Sequence, residues 1–323
     1  MAAQVIVPET QNYWGEMPEK EFYASQGVKN CKGYFNTQNG TIFTQAFLPV
    51  RGEKPKGVVC LVHGYSSDTG WTFQNIAIEL VQWGYAAYAA DMLGHGRSDG
   101  IHGYVPNVDK VAASLLSYFK SVCNTEENKG LPSFLLGESM GGMVAFCMHF
   151  QDPKAWDGYI FLAPLLVMPG PMRPTWLQRT GFSLIKPFVS SWPIFPENHI
   201  VRKAIRSPEK QKLIAANPRR YTGKPRVGTM LELTRMVDLI GTKFNEFKAP
   251  FLTMHGTADV VADPEGSKNF YMKSTSDDKT LKLYDGSYHS LIQGEPDESR
   301  SVILADIKAW LDERVIPNSS VNW

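Results

Sequence analysis

The six residues GVVCLV at 57–62 carry no polar side chain and end at His63-Gly64. A strand with one wet face alternates apolar and polar residues. An unbroken apolar strand bounded by turn signals fits a parallel sheet covered by helices on both faces. The rest of the chain must then supply crossover helices and further buried strands, and it does so in order. Residues 71–84 place Ile76, Leu80 and Trp83 at helical spacing, 85–90 form a short apolar run before Asp91, and 108–122 are helical again. Residues 133–136 read as a buried strand, 141–150 as a helix and 158–162 as a strand. Upstream, 32–35 and 41–47 flank Asn39-Gly40, which predicts an opening antiparallel hairpin. Residues 1–26 show no clear periodicity.

After Ala163 the rhythm breaks. The proline-rich stretch PGPMRP (169–174) leads to Trp176, Phe182, Phe188, Trp192 and Phe195, then to basic, helix-like residues. The βα alternation resumes with a strand at 250–255, a helix at 264–273, a strand at 281–284 and a last helix at 299–313. No internal repeat is visible. The expected architecture is α/β: a mostly parallel central sheet with helices on both faces and an inserted helical cap. The core is one discontinuous domain, 1–163 and 242–323, and the cap spans 164–241. A chain of 323 residues suits one such elaborated domain.

Lys and Arg total 33 against 32 Asp and Glu, so a charge-driven nucleic-acid or membrane binder is not expected. Four cysteines, Cys31, Cys60, Cys123 and Cys147, are widely spaced without a C-x-x-C pair, which suggests neither a disulfide scaffold nor a zinc site. The start MAAQVIVPETQNYWGEMPEKE has no basic segment followed by an apolar one, and no window of 18 apolar residues occurs, so the expected compartment is the cytosol. The triplets beginning at Asn39 and Asn318 are read as turn and tail. Eight Trp, 13 Tyr and 17 Phe are explained first by core packing.

Between the strand at 133–136 and the following helix lies Gly137-Glu138-Ser139-Met140-Gly141, a G-x-S-x-G pattern. A serine on a tight strand-to-helix turn needs small neighbours to project its hydroxyl from the sheet edge, so the flanking elements give the motif meaning. The helix beginning at Met140 offers free N–H groups, and Met140 N–H is the first candidate oxyanion donor. A serine hydroxyl needs a base, and the base needs a carboxylate to orient it. Asp259 follows one late strand and His289 follows the next, in the chain order Ser, acid, His used by α/β-hydrolases. Asp263 and Asp285 are the alternative acids. Tyr65 N–H, in the loop after His63-Gly64, is the second oxyanion candidate. His63, His95 and His255 are read as structural, and no histidine pair has the helical spacing of a zinc hydrolase.

Taken together, His63-Gly64, Gly94-His95-Gly96-Arg97-Ser98, Gly137-Glu138-Ser139-Met140-Gly141-Gly142, Asp259 and His289 resemble the monoacylglycerol lipase and lysophospholipase group of α/β-hydrolases, over roughly residues 57–313. The GESMGG form, the His-Gly-Tyr loop and the LKLY lead-in to His289 resemble its plant branch, which includes caffeoylshikimate esterases. The oxyanion loop lacks the second glycine common in the animal lipases. The resemblance implies Ser139 as nucleophile, His289 as base, Asp259 as orienter, Tyr65 and Met140 as oxyanion donors, and 164–241 as a cap over the acyl pocket. It implies a serine carboxylic ester hydrolase without cofactor or metal, cleaving monoacylglycerol or a similar small acyl ester. A hydroxycinnamoyl esterase, an acyltransferase on the same triad and a non-catalytic receptor are the other readings. The expected partner is a small-molecule ester, with peripheral membrane contact through the apolar cap as a further expectation.

Overall fold

The structure is a computed structural model that describes residues 12–194 and 203–315. Phe195 and the Asn318 triplet lie outside the described residues. Eight strands form one sheet in the order β1-β2-β4-β3-β5-β6-β7-β8. They are β1 Val28–Thr37, β2 Gly40–Pro49, β3 Val58–Val62, β4 Ala86–Ala90, β5 Ser133–Glu138, β6 Gly158–Leu162, β7 Phe251–Gly256 and β8 Lys279–Tyr284. β1 and β2 are antiparallel, β2 runs antiparallel to β4, and every pair from β4 to β8 is parallel. The apolar run GVVCLV supplies β3, buried at every position in the middle of the sheet. The edge strands β1 and β8 carry Lys29, Lys32, Lys279 and Lys282, which discourage pairing with another chain.

Among the described residues the α-helices with defined bounds are α1 Glu19–Ser25, α2 Gln74–Gln82, α3 Val108–Cys123, α4 Met140–Gln151, α5 Trp176–Val189, α6 Pro208–Ala215, α7 Val227–Thr242, α8 Glu265–Lys273 and α9 Asp297–Val315. Two apolar clusters cover the two sheet faces. One joins β3, β5 and β6 to α3, α4, α7 and α8 through residues such as Phe119, Phe146, Met236 and Phe270. The other joins the alternate residues of the same strands to α2 and α9 through Leu80, Ile307 and Trp310. Strands buried on both sides follow directly.

Three details differ from the sequence expectation. The first turn places Gln38 and Asn39 between the paired residues Thr37 and Gly40, with the positive φ, +135°, at Gly40, so it lies one residue earlier than the Asn-Gly signal. α1 occupies part of the aperiodic start; its seven residues bury only Tyr23, too little to make a pattern. α2 begins at Gln74, because Trp71 adopts a left-handed φ of +47° that no helix accommodates.

The chain between β6 and β7 is an insertion of helices. α5 opens with a capping box, in which Thr175 Oγ1 accepts from Gln178 N and Gln178 Oε1 accepts from Thr175 N. It leaves most of its apolar residues exposed. α7 behaves differently. Its Val227, Leu233, Met236 and Ile240 are buried in the same cluster as α3 and α4. Thr229 Oγ1 accepts from Val105 N at 2.9 Å, and buried Glu232 accepts from Val108 N at 2.8 Å.

Candidate active site

β5 delivers Ser139 at φ +56°, ψ −119°, a conformation that costs a non-glycine residue roughly 1–3 kcal/mol and persists only where its surroundings dictate it. Ser139 N donates to Leu162 O at 2.9 Å, and Ser139 O accepts from Leu165 N at 2.9 Å and Gly142 N at 3.0 Å. A Cβ at Gly137 would lie 2.4 Å from Gly141 O, and one at Gly141 2.3 Å from Val62 O. The elbow is thus closed by backbone packing, which is why those two positions take no side chain.

The residues singled out in sequence meet at the C-terminal ends of the strands, where open α/β sheets place their sites. His289 Nε2 is 2.8 Å from Ser139 Oγ, and His289 Nδ1 is 2.6 Å from Asp259 Oδ2. With Nδ1–H donating to Asp259, Nε2 is left to accept the Ser139 hydroxyl proton. The alternative acids are committed elsewhere: Asp285 Oδ1 accepts from Thr257 Oγ1, and Asp263 Oδ1 from Glu265 N. Asp259 Oδ1 accepts from Val261 N at 2.7 Å and Ala262 N at 3.0 Å. Burial alone would raise the Asp259 pKa, but the His289 charge and the hydrogen bonds from His255 and His289 hold it well below the usual carboxylate range. For His289, burial disfavours the imidazolium, yet the charge and hydrogen bond of Asp259 and the charge of Glu138 prevail and raise its pKa above 6.5.

Two neighbours escape sequence reasoning. His255, at the end of β7, places Nε2 3.1 Å from Asp259 Oδ2 and Nδ1 2.8 Å from Ser267 Oγ, so the acid sits between two imidazoles. The available signal was its position four residues before Asp259 at a strand end. Glu138, directly before Ser139, is buried; its Oε2 accepts from Gln293 Nε2 at 2.6 Å, and Gln293 Oε1 accepts from Thr72 Oγ1 at 2.9 Å. Burial raises the Glu138 pKa, against the opposing charge of His289 and the Gln293 hydrogen bond.

His63 braces the loop after β3. Nδ1–H donates to Gly64 O at 2.8 Å and Nε2 accepts from Met92 N at 2.9 Å, while burial lowers its pKa. His95 is buried against the His63 and Tyr65 rings, and burial pushes its pKa down to about 3. Met140 is the first residue of α4, so its N–H has no intrahelical acceptor. Tyr65, in the loop after β3, lines the same cavity as Ser139 and His289, with Tyr65 OH donating to Gly103 O at 2.9 Å.

A cavity of about 790 Å³ opens above Ser139 and His289. Its lining combines apolar residues, Leu165, Met168, Met172, Met230 and Leu233, with polar ones, Lys212, Asn217, Tyr221 and Thr222. Among the described residues, no three His, Cys, Asp or Glu side chains converge as a metal-binding group.

A nucleophile elbow on a mostly parallel sheet, with an acid and a histidine from the next strand ends, defines a serine hydrolase of the α/β-hydrolase fold. Residues 53–297 match the family model described as serine aminopeptidase, S33, and the chain belongs to that family. The caffeoylshikimate esterase of Arabidopsis thaliana is 52% identical over 305 residues, covering 94% of this chain and 92% of its own length. The human monoglyceride lipase is 27% identical, over 80% of this chain and 84% of its own. A solved monoglyceride lipase from Saccharomyces cerevisiae has the same fold, with a TM-score of 0.75 at 23% identity, covering 87% of this chain and 94% of that one.

Proposed function

We propose that the chain hydrolyses small carboxylic esters through an acyl-enzyme on Ser139. The observation that carries this is the hydrogen-bonded series Ser139, His289, Asp259 at the floor of a large, half-apolar cavity. His289 takes the Ser139 proton, passes it to the leaving alkoxide, and then activates water for deacylation. Tyr65 and Met140 N–H groups hold the oxyanion, each contributing about 3 kcal/mol of transition-state stabilisation. The reading is supported for Met140 by its place at the helix start and for Tyr65 by the His63 brace beneath its loop. Residues 164–241 act as the cap, contributing Met168, Met172, Lys212, Tyr221, Met230 and Leu233 to the lining over a core formed by 1–163 and 242–323. The four free cysteines suit a cytosolic enzyme.

Identity of 52% with a caffeoylshikimate esterase favours a hydroxycinnamoyl ester, whose ring suits the apolar lining and whose polar alcohol suits Lys212, Asn217 and Tyr221. Monoacylglycerol is the second reading, favoured by an apolar surface on α5 where Trp176, Leu184 and Phe188 are about four-fifths exposed (77%, 77% and 80%). That surface supports peripheral contact with lipid; among the described residues no helix is long and apolar enough to cross a membrane. Turnover of a panel of hydroxycinnamoyl esters and monoacylglycerols tests the proposal. It fails if neither class is cleaved, or if cleavage survives Ser139→Ala.

A further inference from the structure

We propose that the molecule has a second ligand site, a cationic, aromatic-walled cavity behind Trp71 that takes a small aromatic oxyanion, an aryl carboxylate or aryl phosphate. The cavity measures about 530 Å³, within the range that binds small molecules, and shares Gly70 and Trp71 with the lining of the catalytic cavity. Its other residues come from elements that carry none of the triad: the start of the described chain with α1, β1, β2, the start of α2, the loop after β4 and the stretch before α7.

The charges in it do not balance. Lys32, Arg97 and Arg219 line the cavity against a single carboxylate, Glu19, which is taken by its ion pair with Lys32. Among the described residues neither Arg97 nor Arg219 has an ion pair. The nearby acids Asp68 and Asp91 are already engaged: Asp68 accepts from Gly70 N and Asn217 Nδ2, and Asp91 from Thr69 N, Thr69 Oγ1 and Arg97 N. Burial lowers the pKa of both Lys32 and Arg219, and the Arg97 charge lowers each further, so the cations disfavour one another as they stand.

Donors are also left over. Arg97 lies over the Phe43 ring with its guanidinium carbon 4.4 Å from the centroid, a placement that leaves the in-plane N–H groups for an acceptor. Its Nη1 and the Nε2 of Gln74 are buried donors with no partner among the described residues, and Gln74 is only 2% exposed. A buried donor without an acceptor is costly, and an oxyanion supplies the missing acceptor and the missing charge at once. The walls specify the rest of the ligand. Trp14, Tyr34 and Trp71 line the cavity, and Trp14 is fixed by stacking on Phe22 at 4.1 Å, so a flat ring joined to the anion has faces to meet.

Calorimetric titration of the full-length protein with phenyl phosphate and with benzoate tests the site, with benzyl alcohol and inorganic phosphate as controls. Saturable binding of both aromatic anions is expected, none of benzyl alcohol, and binding of inorganic phosphate about tenfold weaker than phenyl phosphate, the loss expected when ring contacts are absent. The tighter of the two aromatic anions identifies the head group. Arg219→Ala should weaken binding about tenfold and Arg97→Lys, which keeps the charge but loses the fork, by a smaller factor. Lys212→Ala, in the catalytic cavity, should leave it unchanged, and unaltered melting of Arg219→Ala shows that the loss is not unfolding. Absence of saturable binding, equal binding of benzyl alcohol or inorganic phosphate, or a loss with Lys212→Ala but not with Arg219→Ala would overturn the proposal.

Discussion

Ser139 sits at φ +56° between glycines that admit no methyl group, whereas Phe188, on the inserted helix α5, leaves 80% of its surface uncovered. At the strand ends each polar atom of the triad has a partner and the partners have partners of their own: His289 on Asp259, Asp259 on His255, His255 on Ser267. On α5 the exposed apolar side chains meet nothing among the described residues that would bury them. The difference teaches where selection for geometry ends. A proton has to move between atoms less than 3 Å apart, and that tolerates no slack; an acyl chain or ring slides over apolar surface and needs only area.

The contrast can be broken in several places. Ser139→Ala should lower kcat/KM on a soluble acyl ester by about 10⁴-fold or more, and should abolish labelling by a fluorophosphonate probe. Gly141→Ala forces a methyl group onto Val62 O and should destabilise the protein by about 3 kcal/mol, read from chemical denaturation. Were it neutral, the elbow would not be the rigid half of the molecule. His255→Phe keeps a ring of similar size while removing a hydrogen bond to ionised Asp259, and kcat/KM should fall about tenfold.

The pH profile sharpens the same point. The base must be neutral, and the His289 pKa lies above 6.5, so kcat/KM should fall as pH drops through that raised value. Glu138 stabilises the imidazolium, so Glu138→Gln should move this acidic limb to lower pH; a limb that stays in place would show that Glu138 does not tune the base. The smallest effect is expected on α5. Trp176→Ser with Phe188→Ser should change stability by less than about 0.5 kcal/mol and leave soluble-ester turnover intact while reducing binding to lipid vesicles. Equal losses on soluble and vesicle-bound substrate would erase the distinction between the two regions.

Sequence and structure agree best where one constraint acts alone. β3 was legible because burial on both faces leaves no alternation, and Ser139, Asp259 and His289 because each follows a strand whose end is marked by its own residues. The Asn-Gly pair marks the hairpin but not its exact register, because the turn residues are Gln38 and Asn39 and the positive φ belongs to Gly40. α1 was invisible because a single buried residue makes no period. His255 and Glu138 stayed in the background for a different reason: their roles depend on Asp259 and Gln293, partners that only the folded sheet brings near. α7 reads as part of the insertion by its position in the chain, yet its tertiary contacts with Val105 and Val108 tie it to the core.

Ser139 and His289, its hydrogen-bond partner, stand 150 residues apart in the chain, with the inserted helices between them. During synthesis Ser139 therefore leaves the ribosome long before Asp259 and His289, and until they follow its hydroxyl has neither of these partners. Reactivity arrives only once β7 and β8 have joined the sheet. On the proposed mechanism, completion of the fold is itself the activating event.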